Sequence, residues 1–343
     1  MPQEPFPDKE LEAFVAEYRG QSLNLSATAR AMGLKRPAAQ RRLRAAMKRD
    51  MLDECEISPS STPTRETYLS ARTRKMARWQ KKQTKGAWDK PVLINIKDGP
   101  FRLKLFGDPH LDADGCDFEH FEREWRDLDP GARCYGVCIG DWFNNWLRVL
   151  GHLWKDEGDP DDAWVLFEHL MQEHGAGLIG ACSGNHDDWS HGPADPIDML
   201  MKQHGVVYRQ GAVRLMINAG GAGPITVALR HKWKGHSQFA PSHALRKAAM
   251  NGWHDHVMVG GHTHQDEDRY YVSPRSGFVS HLFQVSAFKK YDDFADVHGF
   301  MPHSVSPVRD LVIDPRRDDN DPDKVKSFFD SASAAAYLAA ISP

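Results

Sequence analysis

Five short segments rich in His, Asp and Asn constrain this chain more than any other feature. They are Gly107-Asp108-Pro109-His110, Gly140-Asp141, Gly184-Asn185-His186-Asp187, His231 and Gly261-His262-Thr263-His264. Several follow an apolar run of strand length, so a fold that suits this chain must gather the ends of strands. Oxygen and imidazole donors delivered there are what a pair of divalent cations needs to hold and activate a phosphate ester. Asp108 and His110 stand two apart on an extended stretch, which lets both face one side. The glycines let the backbone turn tightly and approach closely where each strand ends.

The intervening pattern specifies an α/β protein. Strands are expected at Val92–Ile96, Phe101–Phe106, Tyr135–Ile139, Leu178–Cys182, Val213–Ile217, Ile225–Arg230, His256–Val259, Val279–Val285 and Val308–Ile313. Helices are expected at Phe118–Arg126, Asp161–His174, Pro196–His204 and His243–Asn251. Early strand–helix alternation followed by consecutive strands implies a four-layer αββα sandwich of two mixed sheets, preceded by a small all-α domain. The boundaries follow: residues 1–56 a helical, helix-turn-helix-like domain, 57–90 a basic linker, 91–315 the α/β domain, and 316–343 an acidic linker with a C-terminal helix.

Composition sets the compartment and the charge. There is no apolar run of transmembrane length, and Met1 to Glu10 lacks a signal peptide's apolar stretch. The five cysteines are odd in number and show no CxxC pair, which fits a reducing, cytoplasmic setting. The formal charge of -3 hides an asymmetry: residues 30–90 hold 17 Lys/Arg against 6 Asp/Glu. A basic front end on an acidic body suggests a polyanionic partner, although a solvated helical face accounts for many charge runs.

The ordered set DxH, GD, GNH(D/E), H and GHxH resembles the calcineurin-like metallophosphoesterase family across roughly residues 101–266. A lone Asp-x-His is usually a turn and a lone Gly-Asp a common strand ending, but five motifs in family order are specific. The resemblance implies that Asp108, His110 and His264 hold one metal, that Asn185, His231 and His262 hold a second, and that Asp141 bridges both. It implies two divalent ions, with manganese the first expectation and iron, zinc, nickel or magnesium the alternatives. It further implies a metal-bridging hydroxide as nucleophile and His186 as general acid. Lys232, Lys234 and His236 are candidate phosphate contacts. His191 and His243 lie near the motifs without matching a ligand position, and His120, His152, His169, His174, His204 and His303 are expected to be incidental.

The family's protein phosphatases continue GD as GDxxDRG. Here the run is Gly140-Asp141-Trp142-Phe143-Asn144-Asn145-Trp146, with Asn144 in place of the second Asp and no Arg. That argues against a protein phosphatase and looks more like the family's double-strand-break repair nucleases. Asn144 is then expected to orient His186 by an uncharged hydrogen bond.

Residues 27–43 resemble a helix-turn-helix. Gly33 makes the turn, Ala29, Ala39 and Leu43 pack inward, and Lys35, Arg36, Gln40, Arg41, Arg42 and Arg44 remain for phosphates and base edges. A plain three-helix bundle with a basic surface is the competing reading. The leading expectation is therefore a two-metal phosphodiesterase or nuclease acting on DNA, a pairing that looks like phage or prophage phosphoesterases. The alternatives are a phosphomonoesterase or cyclic-nucleotide phosphodiesterase with a tethering front end, and a DNA-binding regulator with a vestigial phosphoesterase body. A homo-oligomer, or an ATPase partner of the kind repair nucleases use, stays open.

Overall fold

A computed structural model describes residues 6–21, 24–49, 51, 64–85, 90–145, 160–189, 195–235, 237, 239–290 and 307–342. The chain divides into two compact units, Met1–Gln83 and Thr84–Pro343.

In the first unit, α1 (Asp8–Gly20) follows Pro7 and buries Leu11, Phe14 and Val15, the helical spacing of one face. Asn24 caps α2 (Leu25–Ala31) by accepting the Ser26 and Ala27 N–H groups. Gly33 takes a left-handed φ of 65° and turns the chain into α3 (Arg36–Lys48). Phe14, Ala29 and Ala39 form the small core, with Leu34 and Leu43 against it. The basic linker, whose charged run reads as helical from about Glu66 to Gln83, holds a fourth helix, α4 (Arg65–Lys85).

The second unit contains two six-stranded sheets. One runs β1 (Val92–Asn95), β6 (Ala212–Asn218), β7 (Ile225–Arg230), β8 (Val257–Gly260), β10 (Val279–Gln284), β9 (Glu267–Val272). The other runs β12 (Val325–Phe328), β11 (Val308–Ile313), β2 (Phe101–Phe106), β3 (Cys134–Cys138), β4 (Leu178–Cys182), β5 (Val207–Arg209). Both are mixed. β2, β3, β4 and β5 are parallel, as are β7, β8 and β10, whereas β11, β12 and β9 pair antiparallel to their neighbours.

Between the sheets lies the main core, where Leu103, Leu105 and Val137 of one sheet meet Leu215, Val227 and Val259 of the other. Helices α5 (Phe118–Arg126), α6 (Pro160–His174) and, after the short α7 (Asn185–Trp189), α8 (Pro196–Gln203) follow in the chain; α5, α6 and α8 cover one outer face, through Phe121, Trp125, Phe167 and Met201. Helix α9 (His243–Met250) covers the other, through Leu245 and Ala249. The expected four-layer sandwich is thus present.

The sequence reading missed β5, β9 and β12. All three are edge strands, so each carries at most a fragment of apolar pattern, and Glu267–Val272 is largely exposed. As a consequence 316–343 is more than a linker and a helix. β12 extends the sheet, and α10 (Ser331–Ile341) packs Ala334 and Leu338 against Val312. None of the described helices is long and apolar enough to cross a membrane.

Strand β2 carries a second, unexpected pattern. Arg102 and Lys104 alternate with Phe101, Leu103 and Leu105, so they point away from the main core and under the helices, 4% and 0% exposed. Arg102 pairs with Asp310 on β11 and with Asp127 at 2.6 Å. The Lys104 ammonium meets Glu124 at 2.7 Å, Asp127 at 2.7 Å and Ser331 at 2.8 Å, tying β2 to α5 and α10. Removing one member leaves a buried charge short of a partner, which is where such networks are costly. Asp310→Ala is expected to lower stability by about 3 kcal/mol in urea unfolding, with the activity per folded molecule unchanged.

Candidate metal centre

Parallel neighbours end on the same side of a sheet, and this chain uses that rule in both sheets. β2, β3 and β4 deliver Asp108 and His110, Asp141, and Asn185 and His186, while β7 and β8 deliver His231, and His262 and His264. The core holds the two sets of ends against each other. The His262 N–H donates to Asp108 Oδ2 at 3.0 Å, and His231 Nδ1 sits 3.1 Å from the Ile139 carbonyl.

Two groups of donors result: Asp108, His110 and His264, and Asp141, His231 and His262. Within each, one donor atom per residue lies within 4.8 Å of the others. Asn185 joins the second through Oδ1, 3.0 Å from His231 Nε2. Asp141 stands between the groups, its Oδ2 3.2 Å from His231 Nε2 and 4.0 Å from His110 Nε2. Asp108, His110 and His264, expected together, lie together, as do Asn185, His231 and His262.

The residues fit a pair of divalent cations on chemical grounds. Asp108 Oδ1 and both ring nitrogens of His110 are buried with no hydrogen-bond partner, a costly state that a cation would relieve. His231 Nδ1 faces the Ile139 carbonyl, which places the proton there and leaves Nε2 for the cluster. His110, Asp141, His262 and His264 all adopt left-handed backbone, with φ of 47°, 54°, 71° and 53°. That conformation costs about 1–2 kcal/mol per non-glycine residue, and four of seven expected ligands carry it.

Glycines matter here for close approach. A Cβ on Gly184 would lie 1.9 Å from Asp141 Oδ1, and one on Gly261 1.8 Å from Ile139 and 2.7 Å from Asp108 Oδ1. Asp187, from the same segment as Asn185, accepts the N–H groups of Asp141 at 2.8 Å, Trp142 at 3.0 Å and Gly184 at 2.8 Å, and so shapes the loop that presents Asp141. Gly184→Ala should weaken divalent-ion binding at least tenfold in calorimetric titration, because the Asp141 carboxylate would be displaced.

Electrostatics in the cation-free protein run as the burial demands. Desolvation pushes the His110 imidazole well down, and desolvation with the neighbouring His231 and Lys232 charges pushes His262 down to about 4. Burial opposes charge on His231 as well, but the Asp141 and Asp108 carboxylates outweigh it and push His231 up to about 9. Burial likewise disfavours the Asp141 carboxylate, yet His231, His110 and His186 hold it well below the usual range. A ligand imidazole must be neutral, so below pH 9 a cation held by His231 would expel its proton. Calorimetry at pH 7 in buffers of different ionisation enthalpy should detect about one proton released, with apparent affinity rising as pH approaches 9.

His186 lies beside the cluster, its Nε2 4.0 Å from Asp141 Oδ2. Its Nδ1 meets Asn144 at 2.6 Å, but at the backbone carbonyl. The Asn144 side chain, expected to orient His186, instead accepts from Lys289 Nζ at 3.1 Å. The turn after Gly140-Asp141 aims the peptide carbonyl, not the side chain, at the ring. Asp112 and Lys289 escaped notice in the sequence. The spacing Asp108-x-His110-x-Asp112 was the available signal for the first, and nothing local marks the second.

A cleft of about 550 Å³ opens beside the second group, lined by Asn185, Gln210, Arg230, His231, Lys232 and His262 among others. Lys232 is on its wall, its amine 2.9 Å from His262 Nε2. Lys234 is exposed and is not among the lining residues, and His236 lies outside the described residues. His191, His152 and His303 also lie outside them. His243, which opens α9, and the described His120, His169, His174 and His204 join neither donor group.

In the first unit, Lys35, Arg36, Gln40, Arg41 and Arg44 are exposed on and before α3. Arg42 departs from expectation. Its guanidinium turns to α1, where Nε donates to Glu10 at 2.8 Å and the group lies 4.8 Å from the Phe6 ring centre.

No protein-family model matches the chain, and no curated protein matches it. Among solved structures it is similar to a conserved Streptococcus pneumoniae protein described as a predicted phosphoesterase, at 14% identity and a TM-score of 0.32, over 67% of this chain and 97% of that one. It is similar to Vps29 from Entamoeba histolytica complexed with zinc, at 12% identity and a TM-score of 0.34, over 67% and 100%. It is also similar to the nuclease MPE from Pseudomonas putida, at 14% identity and a TM-score of 0.30, over 66% and 87%. At such scores these likenesses carry none of the functional argument, which rests on the residues.

Proposed function

We propose that this chain is a two-metal phosphoesterase, and that its substrate is a nucleic-acid phosphodiester, DNA in the first instance. The observation that carries the reading is the position of the Asp141 carboxylate, a member of one donor group and 4.0 Å from His110 of the other, with His186 alongside. Asp108, His110 and His264 would hold one cation, Asn185, His231 and His262 the other, and Asp141 both. Mixed oxygen and nitrogen donors suit manganese, with iron or zinc as alternatives. When bound, such a pair supplies Lewis-acid polarisation of the phosphate and a water of lowered pKa.

The chain's own side chains do the rest. The neutral Asn185 amide adds no negative charge where an anionic ester must approach. His186 keeps its Nδ1 proton on the Asn144 carbonyl, so in its imidazolium form Nε2 is the nitrogen that hands a proton to the leaving oxygen. Lys232, on the cleft wall, is placed for a phosphate oxygen.

The nucleic-acid part of the reading draws on the first unit. Helix α3 offers exposed Arg36, Gln40, Arg41 and Arg44, with Lys35 just before it, and this supports the helix-turn-helix reading. Along α4, exposed Arg72, Arg74, Lys75 and Arg78 accompany Tyr68 and Trp79, each 60% exposed. Cations with exposed aromatic faces suit phosphates and bases together. A reducing, cytoplasmic setting belongs to the same reading, since the four described cysteines are unpaired thiols.

The test is Mn²⁺-dependent hydrolysis of single- and double-stranded DNA beside bis- and mono-aryl phosphates. DNA and the bis-aryl ester should be cleaved, and Asp141→Asn should abolish both activities while DNA binding persists. Preference for the mono-aryl ester with intact DNA would overturn the nucleic-acid assignment. Arg36→Ala with Arg41→Ala should weaken DNA binding and flatten its salt dependence by about 0.9 per lost phosphate contact.

A further inference from the structure

We propose that Asp112 and Lys289 are positioning residues for His186, acting through the turn at Asn144 and Asn145, and that they determine how well poor leaving groups are expelled. The inference rests on the proposed function, since it concerns the group assigned there as proton donor.

His186 is tied to that turn at two points. Its ring nitrogen Nδ1 meets the Asn144 carbonyl at 2.6 Å, and its own carbonyl accepts from Asn145 Nδ2 at 3.4 Å. The turn is a tight one, in which Asn145 takes a left-handed φ of 45°, a conformation asparagine tolerates. Two buried charged side chains hold it. The Asp112 carboxylate, 3% exposed, accepts the Asn144 N–H at 2.5 Å and the Asn145 N–H at 3.3 Å. The Lys289 ammonium, 5% exposed, donates to Asn144 Oδ1 at 3.1 Å.

Their anchors reach the donor loop as well. Lys289 forms a β-bridge with Cys116, whose thiol donates to the Pro109 carbonyl at 3.2 Å, next to His110. Neither Asp112 nor Lys289 belongs to a donor group, and both are too buried to be surface contacts for a polymer. A carboxylate spent on two consecutive backbone N–H groups serves to fix a carbonyl direction, and the carbonyl so fixed is the one that holds His186.

The chemical consequence is specific. In hydrolysis a new P–O bond forms from a water oxygen, whose proton passes to solvent. The ester P–O bond breaks, and its leaving oxygen takes the proton from His186 Nε2, which solvent then restores. A nitrophenolate leaves readily without that proton, whereas a sugar alkoxide needs it. Misplacing His186 should therefore slow nucleotide esters selectively.

The experiment compares kcat and KM for bis-p-nitrophenyl phosphate and a thymidine dinucleotide in the full chain loaded with Mn²⁺. Asp112→Asn and Lys289→Met should each lower kcat on the dinucleotide roughly 10- to 100-fold. KM, Mn²⁺ affinity by calorimetry, and kcat on the aryl diester should stay within about twofold. Lys289→Arg should recover part of the loss, and this pair carries the test if Asp112→Asn does not fold. Equal losses on both substrates, a fall in Mn²⁺ affinity, or no loss at all would overturn the proposal. His186→Ala separates the two levels. If it discriminates between the leaving groups and the Asp112 and Lys289 variants do not, only this inference fails. If it does not discriminate, the role of His186 fails too, and this inference with it.

Discussion

The apolar layer between the two sheets is the constraint on which the site depends. The expected ligands come from both sides of it, Asp108, His110, Asp141 and Asn185 from one sheet and His231, His262 and His264 from the other. Leu103, Val137, Val227 and Val259 are fully buried in that layer, each contributing about 1.5–3 kcal/mol by burial. Their packing sets the sheet separation, and therefore whether the His262 N–H can reach Asp108 and the His231 ring the Ile139 carbonyl. A close-packed interior transmits such spacings faithfully, because it compresses little.

Part of that packing energy is spent on the site itself. Left-handed backbone at His110, Asp141, His262 and His264, buried unpartnered donors at His110, and crowding of like groups all oppose folding of the cation-free chain. Such features persist only where surrounding structure over-determines them. Here the Asp187 carboxylate, the glycines at 184 and 261 and the main core supply that determination. The same economy explains Asn144. Its peptide carbonyl meets the His186 ring, and its side chain is left to take Lys289.

The network around Arg102 and Lys104 shows a different use of burial. These charges sit in the helix-facing layer and join β2, β11, α5 and α10, so the strand that carries Asp108 is held from its outer side as well as its inner one. In a strand that reads as apolar alternation, the intervening Arg and Lys would ordinarily face water. Only the arrival of α5 and α10, with Glu124, Asp127 and Ser331, turns that side inward.

The sequence by itself determined the fold class, most central strands and which donor residues gather at the strand ends. Those depend on local signals: apolar runs of strand length, glycines at their ends, and donor residues immediately beyond. It was silent on the edge strands β5, β9 and β12, whose half-exposed faces leave little pattern, and so on the place of residues 316–343 in the sheet. It put Arg42 on a free surface when Glu10, thirty-two positions earlier, claims it. It assigned the Asn144 side chain a task that its backbone performs, and it missed Asp112 and Lys289 altogether. In each of these the deciding partner is remote in the chain or is a peptide group common to every residue. Neither leaves a mark on the sequence near the residue it acts upon, and only the packed tertiary structure brings them within a hydrogen bond's reach.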